Sequence, residues 1–390
     1  MMTTNFLKLA VSGVQGLQPY LPGKPIEELE RELGVTDTLK LASNENPIGP
    51  SPKVAEALQN PLPQLDLYPD GGGFILKDKL SQKLGIKQNQ ITLGNGSNDV
   101  LDMIARAFLC EGREAIYSEY AFAVYPISVQ AVGATAKVAK ALLSNNDDNP
   151  YGHDLDAMQA LISDKTRVIF IANPNNPTGT WLKADELDAF ISNVPADVIV
   201  VVDEAYFEYV VEPDYPDTLQ WLSKYPNLIV TRTFSKIYAL AGLRVGYAVC
   251  SEEIADCLNR VRQPFNVNTP ALLAATAALD DEEHVKNCVQ INTKGIKFWR
   301  AACQYRGLDY IPTVGNFITI DFTEVLEEAG QENAMPIYDA LLREAVIVRP
   351  IGNYGLPNHL RITISTDEDN QRCLDALDKV MDALDGEKGT

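Results

Sequence analysis

The chain has 390 residues, of which 46% are hydrophobic and 22% charged, a composition typical of a globular protein long enough for more than one domain. Its 53 acidic and 33 basic residues give a formal net charge of −20, which disfavours binding to nucleic acid or to an anionic membrane surface. An anionic small molecule can bind such a protein only where basic side chains are concentrated locally.

The start of the chain lacks a basic segment followed by a long apolar one, so no signal peptide is predicted. Its first 45 residues are rich in Pro and Gly, as in "LQPYLPGKP" at 17–25, and predict an arm that packs on a smaller domain or on a second subunit. The longest apolar run, at 197–207, is too short for a membrane span. Six scattered cysteines without a C-x-x-C pair favour reduced thiols and a cytoplasmic protein.

The middle of the chain alternates between strand-like and helix-like segments. Its apolar, β-branched runs are continuous, which is typical of strands buried on both faces of a mainly parallel sheet. Segments 97–109 and 183–194 instead repeat apolar residues at helical spacing, as Val100, Ile104 and Phe108 show. This alternation predicts an α/β fold with helices on both faces of the sheet. The predicted strands lie at 91–93, 167–173, 197–203, 227–234 and 244–249.

From about residue 270 onward the pattern changes to long helical stretches with strands between them. An amphipathic helix is predicted at 367–384, after strands at 316–322, 345–350 and 359–365. This part of the sequence is typical of a smaller α+β domain. The predicted division is an N-terminal arm over 1–45, a large domain over 46–270 and a small domain over 271–390.

Three of the predicted strands in the middle of the chain end in polar residues. The first is followed by "NPNNPTG", which contains Asn176; the second ends in Asp203 with Tyr206 close behind; the third is followed by Ser235 and Lys236. Each of these alone is typical of an ordinary loop start, because Asn-Pro favours turns and Asp often caps helices. In an open α/β sheet, however, ligands bind beyond the carboxyl ends of the strands, so the three together predict one site.

These residue types suit one kind of chemistry. A lysine in apolar surroundings can lose its proton near neutral pH and bind an aldehyde covalently. An aspartate can keep a pyridine nitrogen protonated, while Ser235, Arg244 and the helix start after "GNG" at 94–96 can bind a phosphate. His153, His284 and His359 are isolated in the sequence, so no metal site is predicted.

Four motifs together resemble the fold-type-I pyridoxal-phosphate-dependent aminotransferases over essentially the whole chain. They are "NPNNPTG" (173–179), "DEAY" (203–206), "TFSKIYALAGLRVGY" (233–247) and "LRITIST" (360–366). The sequence is most similar to the histidinol-phosphate aminotransferases, one branch of this family, in "LASNENPIGPSP", "YPDGGG", "SEYAFAVYPISVQAVGA" and "RPIGNYGLPNHLRITIST". The resemblance implies a large domain with a mainly parallel sheet of the seven-stranded type, a smaller α+β domain and pyridoxal 5′-phosphate as cofactor.

The resemblance also implies roles for individual residues. Lys236 would bind the cofactor covalently and move the proton at the substrate's Cα, with Asp203 at the pyridine nitrogen and Asn176 and Tyr206 at the ring oxygen. Phe122 would stack on the ring, although Tyr120 and Tyr125 in the same segment are alternatives. The residues that would hold the phosphate are Ser97, Asn98, Thr233, Ser235, Arg244 and, from a second subunit of a homodimer, Tyr68.

The reaction expected from the resemblance is reversible amino transfer between L-histidinol phosphate and 2-oxoglutarate; in histidine biosynthesis glutamate donates the amino group and imidazole-acetol phosphate accepts it. Arg361 would bind the α-carboxylate of an amino acid such as glutamate, and Tyr20 and Arg349 the phosphate of histidinol phosphate. Some members carry a further arginine where this chain has "GNFITIDF" (315–322), so an aromatic amino acid such as phenylalanine or tyrosine is an alternative substrate. A threonine-phosphate decarboxylase and a non-catalytic regulator are more distant alternatives.

Overall fold

The computed structural model describes residues 6–59, 66–146 and 148–386. Its strands are β1 (Leu39–Lys40), β2 (Ile91–Gly94), β3 (Glu114–Ser118), β4 (Thr135–Ala139), β5 (Thr166–Ala172), β6 (Ile199–Asp203), β7 (Leu228–Thr233), β8 (Gly246–Cys250), β9 (Asp309–Ile311), β10 (Phe317–Asp321), β11 (Val346–Ile347), β12 (Arg349–Pro350) and β13 (His359–Thr363).

Helices cover both the strand connections and much of the C-terminal part. They are α1 (Ser12–Gln15), α2 (Ile26–Leu33), α3 (Pro52–Gln59), α4 (Phe74–Leu84), α5 (Ser97–Phe108), α6 (Val124–Ala131), α7 (Leu155–Ala160), α8 (Ala184–Ser192), α9 (Glu252–Val261), α10 (Thr269–Ala278), α11 (Glu282–Arg306), α12 (Thr323–Glu328), α13 (Met335–Arg343) and α14 (Asp367–Gly386). Over the described ranges, none of the helices combines the length and the apolar character needed to cross a membrane.

The large sheet has seven strands in the order β2-β8-β7-β6-β5-β3-β4. Every neighbouring pair is parallel except the two that involve β8, which runs antiparallel to both β2 and β7. The mainly parallel α/β sheet predicted from the sequence is therefore confirmed. Strands β5, β6 and β7 are consecutive neighbours, so their carboxyl ends lie side by side at one edge.

The centre of this sheet forms from the continuous apolar runs. Val200, Val201 and Val202 of β6 are fully buried, because helices cover both faces. Burial of each such side chain contributes about 1.5–3 kcal/mol. Strands β3 and β4 were not predicted; the edge strand β4 has the sequence "TAKVA" and is half exposed, so it lacks the continuous apolar pattern.

The C-terminal part contains a second sheet of four antiparallel strands in the order β12-β13-β10-β9. The arm reaches this part, since β1 pairs with β11 and Leu29 of α2 packs with Leu342 and Ile347. The division at residues 45 and 270 remains our proposal. Helix α10 packs in the core of the large sheet, so a boundary near the start of α11 is an alternative to 270.

Candidate active site

The three polar strand ends identified in the sequence surround one cavity of about 180 Å³. Asn176 follows β5, Asp203 is the last residue of β6, and Ser235 and Lys236 follow β7. The cavity is also lined by residues from the arm, from α5 and from the four-stranded sheet. Of the predicted site residues it brings together Tyr20, Ser97, Asn98, Phe122, Asn176, Asp203, Tyr206, Thr233, Ser235, Lys236, Arg244, Arg349 and Arg361.

Tyr68 is the one predicted site residue that does not line this cavity. Its side chain is 83% exposed and stacks on Phe265, with 4.7 Å between the ring centroids. In a single chain Tyr68 therefore lies on the surface, and its role at a second subunit stays a prediction.

Lys236 is the lysine that lines the cavity. Its Nζ donates a hydrogen bond to the backbone oxygen of Ser43 at 3.1 Å. Burial, with a smaller contribution from the nearby positive charge of Arg361, lowers the pKa of Lys236 to about 7, while Glu45 opposes the shift. A substantial fraction of this amine is therefore neutral, and nucleophilic, at neutral pH.

Asp203 also lines the cavity and is only 4% exposed. Thr231 Oγ1 donates to its Oδ1 at 2.8 Å, and Tyr125 Oη donates to its Oδ2 at 2.9 Å. Burial raises the pKa of Asp203, whereas these two hydrogen bonds lower it. Within the described ranges no basic side chain forms an ion pair with Asp203, so its charge is available to a cationic group in the cavity.

The start of helix α5 and Arg244 form a cradle for an anion. Arg244 has φ = +58°, and its Nη1 lies 3.4 Å from Ser235 Oγ. A Cβ atom on Gly96 would lie 2.6 Å from Arg244 Nη2, and one on Gly246 would lie 2.5 Å from the backbone nitrogen of Ser97. Glycine at these two positions thus lets the guanidinium, the Ser235 hydroxyl and the helix N-terminus approach one point, where a phosphate is favoured.

Two further arginines line the cavity. Arg349 and Arg361 face each other across the antiparallel pair β12 and β13 and are 8% and 5% exposed. Arg349 donates to the Leu21 oxygen at 2.7 Å, and Arg361 donates to the Ala42 oxygen at 2.7 Å and to Asn176 Oδ1. In the parts of the chain that the structure describes, neither guanidinium has a carboxylate partner within 4 Å. Two buried cations without anions are suited to a substrate that carries negative charge.

Three aromatic residues in the segment after β3 lie in different environments. Phe122 lines the cavity, and its stacking on the cofactor ring stays a prediction. Tyr125 is fully buried and reaches the cavity only through its hydroxyl on Asp203. Tyr120 packs edge-on to Tyr151 outside the cavity, with 5.7 Å between the ring centroids.

Sequence reasoning missed a group of site residues in the segment Ala42–Asn44, which also lines the cavity. These residues lie in the motif "LASNENPIGPSP", which by itself indicates only the resemblance to the family. Asn44 has φ = +54°, and its Nδ2 donates to Tyr206 Oη at 2.8 Å. The signal that identifies this residue is the left-handed backbone conformation, which the sequence does not reveal.

A buried ion pair at the ends of β6 and β7 was also not predicted from the sequence. Arg232 of β7 lies 2.7 Å from Glu204 Oε2 and 3.0 Å from Asp217 Oδ1. Its guanidinium also stacks over the ring of Phe207 at 3.5 Å. Because Glu204 follows Asp203 directly, this ion pair holds the backbone beside Asp203 at the end of β6.

Glu204→Gln is expected to lower the free energy of unfolding by about 3 kcal/mol, because it leaves the buried Arg232 without its full counter-charge. Urea unfolding measures this change. The control is Asp256→Asn, which breaks an exposed pair with Arg260 at 2.7 Å and should have a much smaller effect. Equal effects of the two substitutions would show that the buried pair does not stabilise the fold.

The cavity as a whole fits pyridoxal 5′-phosphate by the chemistry of its donors. It has an anion cradle for the phosphate, a partly neutral amine for the aldehyde and a buried carboxylate for the ring nitrogen. The Cβ positions at Gly96 and Gly246 support this assignment, because side chains there would obstruct the cradle.

Comparisons with known proteins point in the same direction. The family model for aminotransferase class I and II matches residues 36–377. The chain is 57% identical over 373 residues to histidinol-phosphate aminotransferase 2 of Methylococcus capsulatus, across 96% of this chain and 98% of that protein. It is 54% identical over 382 residues to histidinol-phosphate aminotransferase 2 of Pseudomonas fluorescens Pf0-1, across 97% and 99%.

A solved structure with the same fold carries the cofactor. The histidinol-phosphate aminotransferase from Sinorhizobium meliloti in complex with pyridoxal-5′-phosphate superposes with a TM-score of 0.85 at 27% sequence identity. The superposition covers 96% of this chain and 98% of that one. The likeness therefore extends over both sheets and the connections between them.

Proposed function

Because this chain belongs to the class I and II aminotransferases, we propose that it transfers the amino group between L-histidinol phosphate and 2-oxoglutarate in histidine biosynthesis. In the biosynthetic direction glutamate donates the amino group and imidazole-acetol phosphate accepts it, in a ping-pong transfer that is reversible. The observation that carries the substrate assignment is the pair of buried arginines, Arg349 and Arg361, which lack carboxylate partners within the described ranges.

The cofactor is pyridoxal 5′-phosphate. When bound, it supplies an electron sink that stabilises negative charge at the substrate's Cα. Arg244, Ser235 and Thr233, together with Ser97 and Asn98 at the start of α5, would hold its phosphate. Asp203 would hold its ring nitrogen in the protonated state, and Phe122 would cover one face of the ring.

Lys236 is proposed to act first as the residue that retains the cofactor and then as the base at Cα. A pKa of about 7 suits both roles, because the amine can accept and return a proton near neutral pH. Tyr206 and Asn176 would bind the ring oxygen. Burial raises the pKa of Tyr206 to about 12, so the phenol keeps its proton and serves as a donor.

Substrate binding is assigned to the cavity residues Arg361, Arg349 and Tyr20. Arg361, already held by Asn176 and by the Ala42 oxygen, would form a fork with the α-carboxylate of glutamate or 2-oxoglutarate. Arg349 and Tyr20 would hold the substrate phosphate. The chain carries an overall charge of −20, so these cations provide the local positive potential that the anionic substrate requires.

The active form is proposed to be a homodimer in which Tyr68 of one subunit completes the phosphate site of the other. The support is an exposed aromatic pair, Tyr68 and Phe265, with exposed Phe74 and Ile75 nearby in the chain. Apolar surface of this kind is typical of an interface. The enzyme is further proposed to be cytoplasmic, since its six cysteines are all free.

A comparison of two amino donors tests the substrate assignment. Histidinol phosphate is expected to exceed phenylalanine in kcat/KM by at least about 100-fold, equivalent to roughly 2.7 kcal/mol, because phenylalanine lacks a phosphate for Arg349. The measurement is steady-state transfer to 2-oxoglutarate for each donor. A preference of the same size for phenylalanine would instead identify an aromatic amino acid aminotransferase.

A further inference from the structure

Three consecutive residues of the segment Ala42–Asn44 each bind a different side chain of the site. The Ala42 oxygen accepts from Arg361 Nη2 at 2.7 Å, and the Ser43 oxygen accepts from Lys236 Nζ at 3.1 Å. Asn44 differs from both, because it acts through its side chain: Nδ2 donates to Tyr206 Oη at 2.8 Å.

Asn44 is held rigidly in this position. It is 1% exposed and adopts a left-handed backbone, which asparagine tolerates better than most residues. Its backbone nitrogen donates to Thr363 Oγ1 at 2.9 Å, and its backbone oxygen accepts from Asn316 Nδ2 at 3.0 Å. Both partners belong to the four-stranded part of the fold, and Thr363 lies on β13 two residues after Arg361.

The direction of the contact with Tyr206 follows from these partners. The Thr363 hydroxyl accepts the Asn44 N–H, and its own proton is directed to Asn44 Oδ1 at 3.4 Å. The amide NH₂ of Asn44 therefore faces Tyr206, and the phenol oxygen is an acceptor in this bond. Across the described residues the phenol donates to no protein atom, so its proton is free for a group in the cavity.

We propose that Asn44 is a positioning residue that orients the Tyr206 phenol as a hydrogen-bond donor toward the ring oxygen of the cofactor. The relay runs from Thr363 through Asn44 to Tyr206, and it is closed to water because the three residues are between 1% and 3% exposed. Because the Tyr206 oxygen accepts a fixed hydrogen bond from Asn44, the phenol is polarised and held in one rotamer. This inference rests on the proposed role of Tyr206 at the cofactor.

Asn44→Gly tests the relay, because glycine keeps the left-handed backbone and removes the side chain that carries the amide. The loss of one hydrogen bond of this kind is expected to lower kcat by about 2- to 12-fold, with a smaller change in KM. A phenol that donates a hydrogen bond to the cofactor's ring oxygen favours the ionised form of that oxygen. The pH midpoint of the bound cofactor's visible absorbance is therefore expected to rise by about 0.4 to 1 unit in the variant.

The decisive comparison combines Asn44→Gly with Tyr206→Phe in the cofactor-loaded protein. If Asn44 acts through the phenol, Asn44→Gly has no further effect on the midpoint or on kcat once the phenol is absent. Thr363→Val, a change of similar shape at the far end of the relay, is expected to shift the midpoint in the same direction. Asn227→Ala is the control: it removes an amide that donates to the Val198 oxygen at 2.7 Å, beyond the opposite ends of β6 and β7, and should leave the midpoint unchanged.

The outcomes separate this inference from the function on which it rests. A midpoint that does not move in Tyr206→Phe would overturn the proposed role of Tyr206 itself. A midpoint that moves in Tyr206→Phe but not in Asn44→Gly would overturn the relay alone. The relay is also overturned if Asn44→Gly has equal effects with and without the phenol.

Discussion

Replacement of Lys236 by alanine is expected to lower the rate of amino transfer by at least about 10⁴-fold. The substitution removes the amine that is proposed to retain the cofactor and to move the proton at Cα. The measurement has two parts: the transfer rate, and the mass of the denatured protein after reduction with borohydride. The wild-type chain is expected to keep the cofactor's mass, and the variant is expected to lose it.

Lys294→Ala is the control for this experiment, because Lys294 is an exposed residue paired with Asp367. It is expected to retain the cofactor and the activity. A Lys236→Ala protein that still carried covalently bound cofactor after reduction would contradict the assignment of this lysine.

The pH dependence of cofactor attachment follows from the environment of Lys236. An ordinary lysine has roughly one neutral amine in 3,000 at pH 7, whereas about half of Lys236 is neutral there because its pKa is lowered to about 7. The attachment rate of the cofactor-free protein is therefore expected to level off above pH 7 and to fall about tenfold per pH unit below it.

Replacement of Asp203 by asparagine is expected to lower kcat by about 10²- to 10³-fold while the cofactor still binds. Asparagine has nearly the same shape but no charge, so the ring nitrogen loses the group that would keep it protonated. Steady-state kinetics and the visible absorbance of the loaded protein measure the two effects. Near-normal turnover in this variant would exclude the proposed role.

Tyr125→Phe is the matched variant, because it removes a donor to Asp203 and keeps the carboxylate. Loss of that hydrogen bond raises the pKa of Asp203 further above its ordinary value. The carboxylate must be ionised to act, so activity is lost as the pH falls through this pKa. The acid limb of the pH–rate profile is thus expected to move to higher pH, while kcat well above the limb stays close to that of the wild type.

The central part of the site could be predicted from the sequence because each of its residues ends a buried strand. Asn176, Asp203 and Lys236 follow continuous apolar runs, and parallel strands end at the same edge of a sheet. Arg244 was expected inside the strand at 244–249; it instead precedes β8 in a left-handed conformation, which its place between Gly242 and Gly246 does not reveal.

The rest of the site depends on long-range packing that no local pattern contains. Asn44 meets Tyr206 only because the arm contacts the C-terminal part of the fold, where β1 pairs with β11 and Asn44 bonds to Thr363 of β13, more than 300 residues away along the chain. Arg232 has the pattern of a strand residue, and its ion pair with Glu204 appears only once β6 and β7 are adjacent. The role of Tyr68 remains a prediction, since it concerns a second subunit.

The reversed direction of β8 has a consequence for how the length of this chain can vary over evolutionary time. Strands β7 and β8 form a hairpin in which Thr233 pairs with Gly246, and the Phe234 nitrogen bonds to the Val245 oxygen at 3.1 Å. Both ends of the connection between β7 and β8 are thus fixed by hydrogen bonds at the same edge of the large sheet. An inserted residue between Lys236 and Arg244 would displace one cation relative to the other. We expect insertions and deletions among relatives to be absent here and to accumulate in connections such as 210–217, which carry no cavity residue.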